Sequence, residues 1–132
     1  MRGGSRIKPN ILIIDDETAI LHALQIFLEQ QNYDVKTVTQ YNELLEKTEP
    51  KDLPDLIILD VLLMDEDGRI IAKKLKSNPK TKHIPIVMIS AHPTADKTAV
   101  RSGADVFLPK PFDASILLDI IKRLCKPAAQ PA

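Results

Sequence analysis

The chain is short of the residues that mark a specialised compartment or a specialised chemistry. Its one cysteine is Cys125, so no intramolecular disulfide can form and nothing points to an oxidising compartment. Neither charge is in excess: Lys and Arg together number 18, and so do Asp and Glu. A balanced chain has no overall field to draw it to nucleic acid or to an anionic membrane. No apolar run approaches the ~20 residues of a membrane span. The N-terminus also lacks the apolar core of a signal peptide. His22 and His83 have no companion at metal-ligand spacing and read as surface residues. The absences together set the expectation of a cytoplasmic protein with no membrane insertion and no direct nucleic-acid contact.

What is present suits one domain. A length of 132 residues buries a real core without metal or disulfide. Residues 1–8 read as a flexible leader or cloning remnant, 9–126 as the domain, and 127–132, rich in Pro and Ala, as a disordered tail. Two continuous apolar runs stand out, Ile11-Leu12-Ile13-Ile14 and Leu56-Ile57-Ile58-Leu59. Runs of this kind suit strands buried on both faces, as in the middle of a parallel sheet. Further strands are expected over Tyr33–Val38, Ile84–Ile89 and Asp105–Leu108. Between them the apolar period lengthens. Ile20, Leu21, Leu24, Phe27 and Leu28 mark a helix from Thr18 to Gln31, with Asp16 or a neighbour as its cap and Asn32 as its stop. A short helix is expected over Asn42–Thr48 and another over Ile70–Lys76. A weaker one is expected from Thr94 to Ser102, closed by Gly103. The last is capped by Asp113 and carries Ile116, Leu117, Ile120, Ile121 and Leu124 on one face. Five strands alternating with five helices make an α/β fold, a flavodoxin-like doubly wound (βα)5 arrangement. Its five-stranded parallel sheet is expected in the order 2-1-3-4-5.

This order decides what meets at the carboxyl edge of the sheet, where open α/β folds hold their sites. The first strand delivers Asp15 and Asp16, the third Asp60, the fourth Ser90 and the fifth Lys110. Three carboxylates so close repel one another unless a cation sits among them. An all-oxygen set in an open site suits Mg²⁺. Lys110 offers a point charge to a phosphoryl oxygen and Ser90 a hydroxyl. With Asp60 as nucleophile the set can carry out phosphoryl transfer, largely through positioning and charge neutralisation. Taken singly, each residue has a plainer role: Asp15 and Asp16 as helix caps, Ser90 as a turn residue, Phe107 as core packing. The convergence of the strand-end residues raises the chemical reading above the plain one for them, while Phe107 on its own reads as core packing. The acidic loop Asp65-Glu66-Asp67-Gly68 is not a Ca²⁺ loop. With Gly68 as the loop glycine, Leu63 would come first and Lys74 last, where Asp and Glu are needed.

Over about residues 10–125 the sequence resembles the receiver domains of two-component response regulators. The resemblance rests on the acidic pair after the first strand, the aspartate ending the third, Asp67-Gly68 beyond it, Ser90-Ala91, and Lys110-Pro111-Phe112. It implies that Asp60 accepts a phosphoryl group from a histidine kinase or histidine phosphotransfer protein. Asp16 would be a direct Mg²⁺ ligand, Asp15 a supporting one, and the backbone carbonyl of Leu62 a further ligand. Lys110 would bind the phosphoryl group, with the Lys110-Pro111 bond cis. Ser90 and Phe107 would shift toward the phosphorylated site and change the surface of the fourth and fifth helices and fifth strand (the family's α4-β5-α5 face), to be read by a downstream protein. Such a domain catalyses only its own phosphorylation and dephosphorylation.

Departures from the family pattern fall around the site. Leu63 and Met64 stand where Met and Pro are usual, Ser90 where Thr is commoner, and Phe107 where Tyr is frequent. Leu62 and His92 occupy the variable positions that tune dephosphorylation, and apolar Leu62 is expected to shield the acyl phosphate from water. Three other readings are weaker. A phosphatase with an aspartate nucleophile would want a second Asp where Leu62 stands. A flavodoxin-like cofactor binder would want a Ser/Thr/Gly-rich loop where Asp15-Asp16-Glu17 would repel phosphate. A non-phosphorylated docking receiver would not need the full acid, hydroxyl and lysine set.

Overall fold

The computed structural model describes residues 8–92 and 95–125, without the side chains of 95–97. Five strands form one parallel sheet: β1 (Asn10–Ile14), β2 (Asp34–Val38), β3 (Leu56–Asp60), β4 (Ile86–Ser90) and β5 (Val106–Pro109). Their order is β2-β1-β3-β4-β5, as expected from the sequence. Among the described residues the helices are α1 (Thr18–Gln30), α2 (Gly68–Ser77), α3 (Ala95–Arg101) and α4 (Ala114–Leu124).

The apolar runs do what their continuity requires. Every residue of β3 and of β4 is buried, and alternate residues feed two separate layers. Leu12, Ile14, Ile57 and Leu59 face one layer, shared with Ile71 and Leu75 of α2 and Ala99 of α3. Ile11, Ile13, Leu56 and Ile58 face the other, with Leu21, Leu24 and Leu28 of α1 and Leu117 and Ile121 of α4. At the amino edge two aspartates set the register. Asp55 accepts the Asn10 N–H at 2.7 Å and Asp105 accepts the Ile86 N–H at 2.8 Å. Pro85 lies just before β4, where its carbonyl accepts the Ile57 N–H and its missing donor costs nothing.

Helix ends follow the signals in the chain, with one exception. Asn32, at φ 71°, and Gly103, at φ 104°, take the left-handed position past α1 and α3. In each case the residue's own N–H and that of the following residue return to the last helical carbonyls: Asn32 to Glu29 and Tyr33 to Leu28, Gly103 to Val100 and Ala104 to Ala99. Asp113 caps α4 through the Ser115 N–H at 2.9 Å. The exception is the start of α1. Its N-cap residue is Glu17, whose side chain makes no cap bond, and Asp16 does not cap it either.

The expected helix over Asn42–Thr48 is absent. In its place are two 3-10 turns, Leu45–Lys47 and Pro50–Asp52. Asn42 and Glu43 lie in the left-handed region, at φ 46° and 55°, which a right-handed helix cannot accommodate. The Glu66 carboxylate takes the Tyr41 N–H at 2.9 Å, holding the segment from outside. The fourth and fifth helices of the expected (βα)5 count are therefore α3 and α4. Thr94, the expected start of α3, and the tail 127–132 lie outside the described residues, as does all of the expected leader except Lys8.

Candidate functional site at the carboxyl edge of the sheet

β1 and β3 are neighbours in register, with Ile14 opposite Leu59, so Asp15 and Asp60 emerge side by side. Asp15 is fully buried and Asp60 nearly so. One carboxylate oxygen from each of Asp15, Asp16 and Asp60 lies within 4.8 Å of the others. This is a compact, all-oxygen donor set suited to a hard divalent cation. Asp16, half-buried, leaves one side of the set open to water.

Lys110, at the end of β5, reaches across into the same cluster. Its Nζ donates to Asp15 Oδ2 at 3.0 Å, to Asp60 Oδ2 at 3.1 Å and to Glu17 Oε1 at 2.7 Å. All three ammonium donors are engaged. The peptide bond between Lys110 and Pro111 is cis. The Lys110 N–H bonds the Ser90 carbonyl at 2.8 Å, which fixes the root of the side chain on β4. Burial acts to lower the Lys110 ammonium, but its hydrogen bonds to Glu17, Asp15 and Asp60 outweigh that and hold it above its ordinary value.

Asp60 is shaped by opposing effects. Burial pushes its carboxyl up, the Lys110 hydrogen bond pulls it down, and the Asp15 charge raises it again. The net is a rise from 3.8 to about 6. Its second oxygen, Oδ1, accepts the Leu62 N–H at 3.1 Å. The loop beyond is tightly folded. Leu62 bridges to Asp67 and the Gly68 N–H bonds the Val61 carbonyl at 2.7 Å. A Cβ on Gly68 would sit 2.2 Å from the Asp60 carbonyl oxygen, so only glycine lets α2 begin this close to the end of β3. Asp67 caps α2 by accepting the Arg69 N–H at 2.9 Å and also pairs with the Arg69 guanidinium at 2.7 Å. The Arg69 hydrogen bond outweighs burial and holds the Asp67 carboxyl below its ordinary range.

The remaining sequence candidates fall around this cluster without joining the ion pairs. Ser90 is buried at the end of β4, where its hydroxyl accepts the His92 N–H at 2.9 Å. Phe107 is half-buried opposite Met88 in register and packs on the layer containing α2 and α3. Leu62 is half exposed and Met64 almost wholly so. Two features escaped the reading of the sequence. Glu17, the third acid of the run after β1, holds Lys110, and the acid run itself was the available signal. Glu66 ties the loop after Asp60 to Tyr41, a contact across 25 residues that no local pattern announces.

Known proteins resemble this chain in sequence and fold. A family model described as the response regulator receiver domain matches residues 11–122. The response regulator PleD of Caulobacter vibrioides is 36% identical over 118 residues, 88% of this chain and 26% of its own length. The DNA-binding dual master transcriptional regulator RpaA of Synechocystis is 36% identical over 123 residues, 89% of this chain and 49% of its own length. The chain thus spans between a quarter and a half of these two relatives. Among solved structures, the signal receiver domain of a signal transduction histidine kinase from Syntrophus aciditrophicus superposes with a TM-score of 0.80 at 29% identity, covering 94% of this chain and 95% of that one. With the sheet order, the acid cluster and the strand-end lysine, these matches make the chain a member of the response regulator receiver domain family.

Proposed function

We propose that this domain is a phosphoaccepting switch in which Asp60 receives a phosphoryl group from a phosphohistidine donor. Response regulators take phosphoryl from a histidine kinase and act on downstream targets, and they are mainly signalling switches. One observation carries the assignment to this chain. Lys110 Nζ bonds both Asp15 and Asp60, residues 95 and 50 positions away, so the side chains of three strands are built into one polar site.

Asp15, Asp16, Asp60 and the Leu62 carbonyl would hold Mg²⁺, which when bound supplies charge neutralisation for the transferring group. The chain's own residues do the rest. The ionised Asp60 attacks phosphorus. An O–P bond forms as the P–N bond of the donor breaks, and the electron pair leaves with the imidazole nitrogen. Lys110 donates to a phosphoryl oxygen with the donor that Asp60 releases on phosphorylation. Ser90 supplies its hydroxyl to another, and Phe107 follows it inward. The output is a change at the surface formed by α3, β5 and α4, which a partner protein reads. We assign residues 9–126 to the receiver unit, with 1–8 and 127–132 as flanking segments. A histidine-kinase donor and the lone Cys125 favour the cytoplasm. RpaA is described as DNA-binding, so the expectation that the output avoids nucleic acid is not carried beyond the receiver itself.

Neither rival has comparable support. The phosphatase reading lacks its second acid, since Leu62 stands there. The docking reading leaves the complete ion-pair cluster without a purpose. The test is incubation with acetyl phosphate and Mg²⁺ followed by intact-mass measurement. A Mg²⁺-dependent phosphoryl adduct is expected on the wild type and not on Asp60→Asn. An adduct that survives the substitution would overturn the proposal.

A further inference from the structure

Lys110 is oversubscribed. Four carboxylates gather at the site against one ammonium, leaving a formal charge of −3, and a divalent cation would still leave −1. The phosphoryl group brings further negative charge. Of Lys110's three partners, two belong to the buried cluster itself, Asp15 and Asp60. The third, Glu17, is different. Its side chain is 57% exposed, yet it makes the shortest of the three contacts, 2.7 Å. It also occupies the N-cap position of α1 without capping it. A Ser, Thr, Asp or Asn there would satisfy the first N–H groups of the helix. Glu17 instead turns its carboxylate toward Lys110, while its backbone N–H bonds Asp15 Oδ1 at 2.9 Å. It is thus joined by its side chain to the lysine and by its main chain to the buried acid.

We infer that Glu17 is a positioning residue that acts through Lys110 as a brake: it occupies one of the ammonium's three donors and adds a negative charge, so that the resting site resists phosphorylation. This rests on Asp60 being the phosphoacceptor. The physical argument is one of competition. Lys110 can bind a phosphoryl oxygen only with charge and donors not committed elsewhere, and Glu17 commits part of both.

The experiment measures the rate of adduct formation from acetyl phosphate at saturating Mg²⁺, by intact mass, for the full chain and for Glu17→Gln, Glu17→Lys and Glu17→Asp. Glu17→Gln is expected to react roughly threefold to tenfold faster than wild type, the effect of one charge a few ångströms away across a partly hydrated site. Glu17→Lys is expected to be faster still, and Glu17→Asp, whose shorter carboxylate keeps the charge but turns to cap α1 and leaves Lys110, to lie between wild type and Glu17→Gln. The advantage of Glu17→Gln should shrink in 1 M salt. If Glu17 merely braces Lys110 in a productive position, Glu17→Gln will be slower than wild type. A slower or unchanged rate overturns the inference. The parent reading fails separately, by a wild type that forms no Asp60-dependent adduct under the same conditions.

Discussion

In the proposed function Asp60 meets two conflicting demands, since a nucleophile must be ionised and a buried carboxyl resists ionisation. The unfolded chain titrates this group at its ordinary 3.8 and the native protein at about 6. Between those values the native state binds more protons, so stability falls as pH rises through the window. In metal-free buffer, Asp60→Asn should therefore gain stability relative to wild type from about pH 4 to about pH 6 and level off above. Urea midpoints across that range measure the gain, and a pH-independent difference would remove burial as the dominant cause. Leu62 poses a separate question of lifetime. It lies beside the acceptor, half exposed, with its N–H bonded to Asp60 Oδ1. Leu62→Asn is expected to shorten the half-life of the phosphoryl adduct by admitting and orienting water; an unchanged half-life would show that Leu62 does not shield it. The residues Asp15, Asp16, Asp60 and Lys110 were legible as a group because strand order alone brings strand ends together. The Glu17 contact was not, because whether a third acid faces solvent or a lysine depends on a helix-cap conformation that composition does not fix.

Among the elements, α2 is set most tightly, by Asp67 at its cap and Gly68 in its first turn. Asp67→Ala should cost about 1 kcal/mol, the usual worth of an N-cap. Its carboxyl titrates below its ordinary value of 3.8. The stabilisation is thus full above that value and lost as pH falls toward the native one. Denaturant melts of the two proteins should accordingly differ at pH 7 and draw together as the pH falls below 3.8. Gly68→Ala is expected to cost about 1–3 kcal/mol through overpacking. It should also slow adduct formation, because its Cβ would displace the backbone of Asp60. The strands and α1 follow from apolar period, and α2 and α4 from apolar period and a capping aspartate. The failed helix after β2 shows where local pattern stops. Leu44 and Leu45 are apolar neighbours without a second turn to extend them, and Pro50 closes the space. The conformation is then decided by Glu66 and by left-handed Asn42 and Glu43.

The molecule as a whole consists of two apolar layers separated by the sheet. Ile71 of α2 lies in one and Ile121 of α4 in the other. Ile71→Val and Ile121→Val should each cost about 0.5–1.5 kcal/mol. Lacking shared neighbours, they should add to within about 0.5 kcal/mol in the double variant. A larger departure, measured by urea denaturation, would mean that the sheet passes strain from one layer to the other. Lys110 has a consequence at this scale too. Acids crowded at a sheet edge repel one another, and the repulsion opposes closure of the strands that carry them. Here the chain carries its own counter-ion, delivered by the last strand to the first and third. Part of the charge gathered at the strand ends is thus offset from within the chain, by a residue that becomes available only when the last strand has joined the sheet.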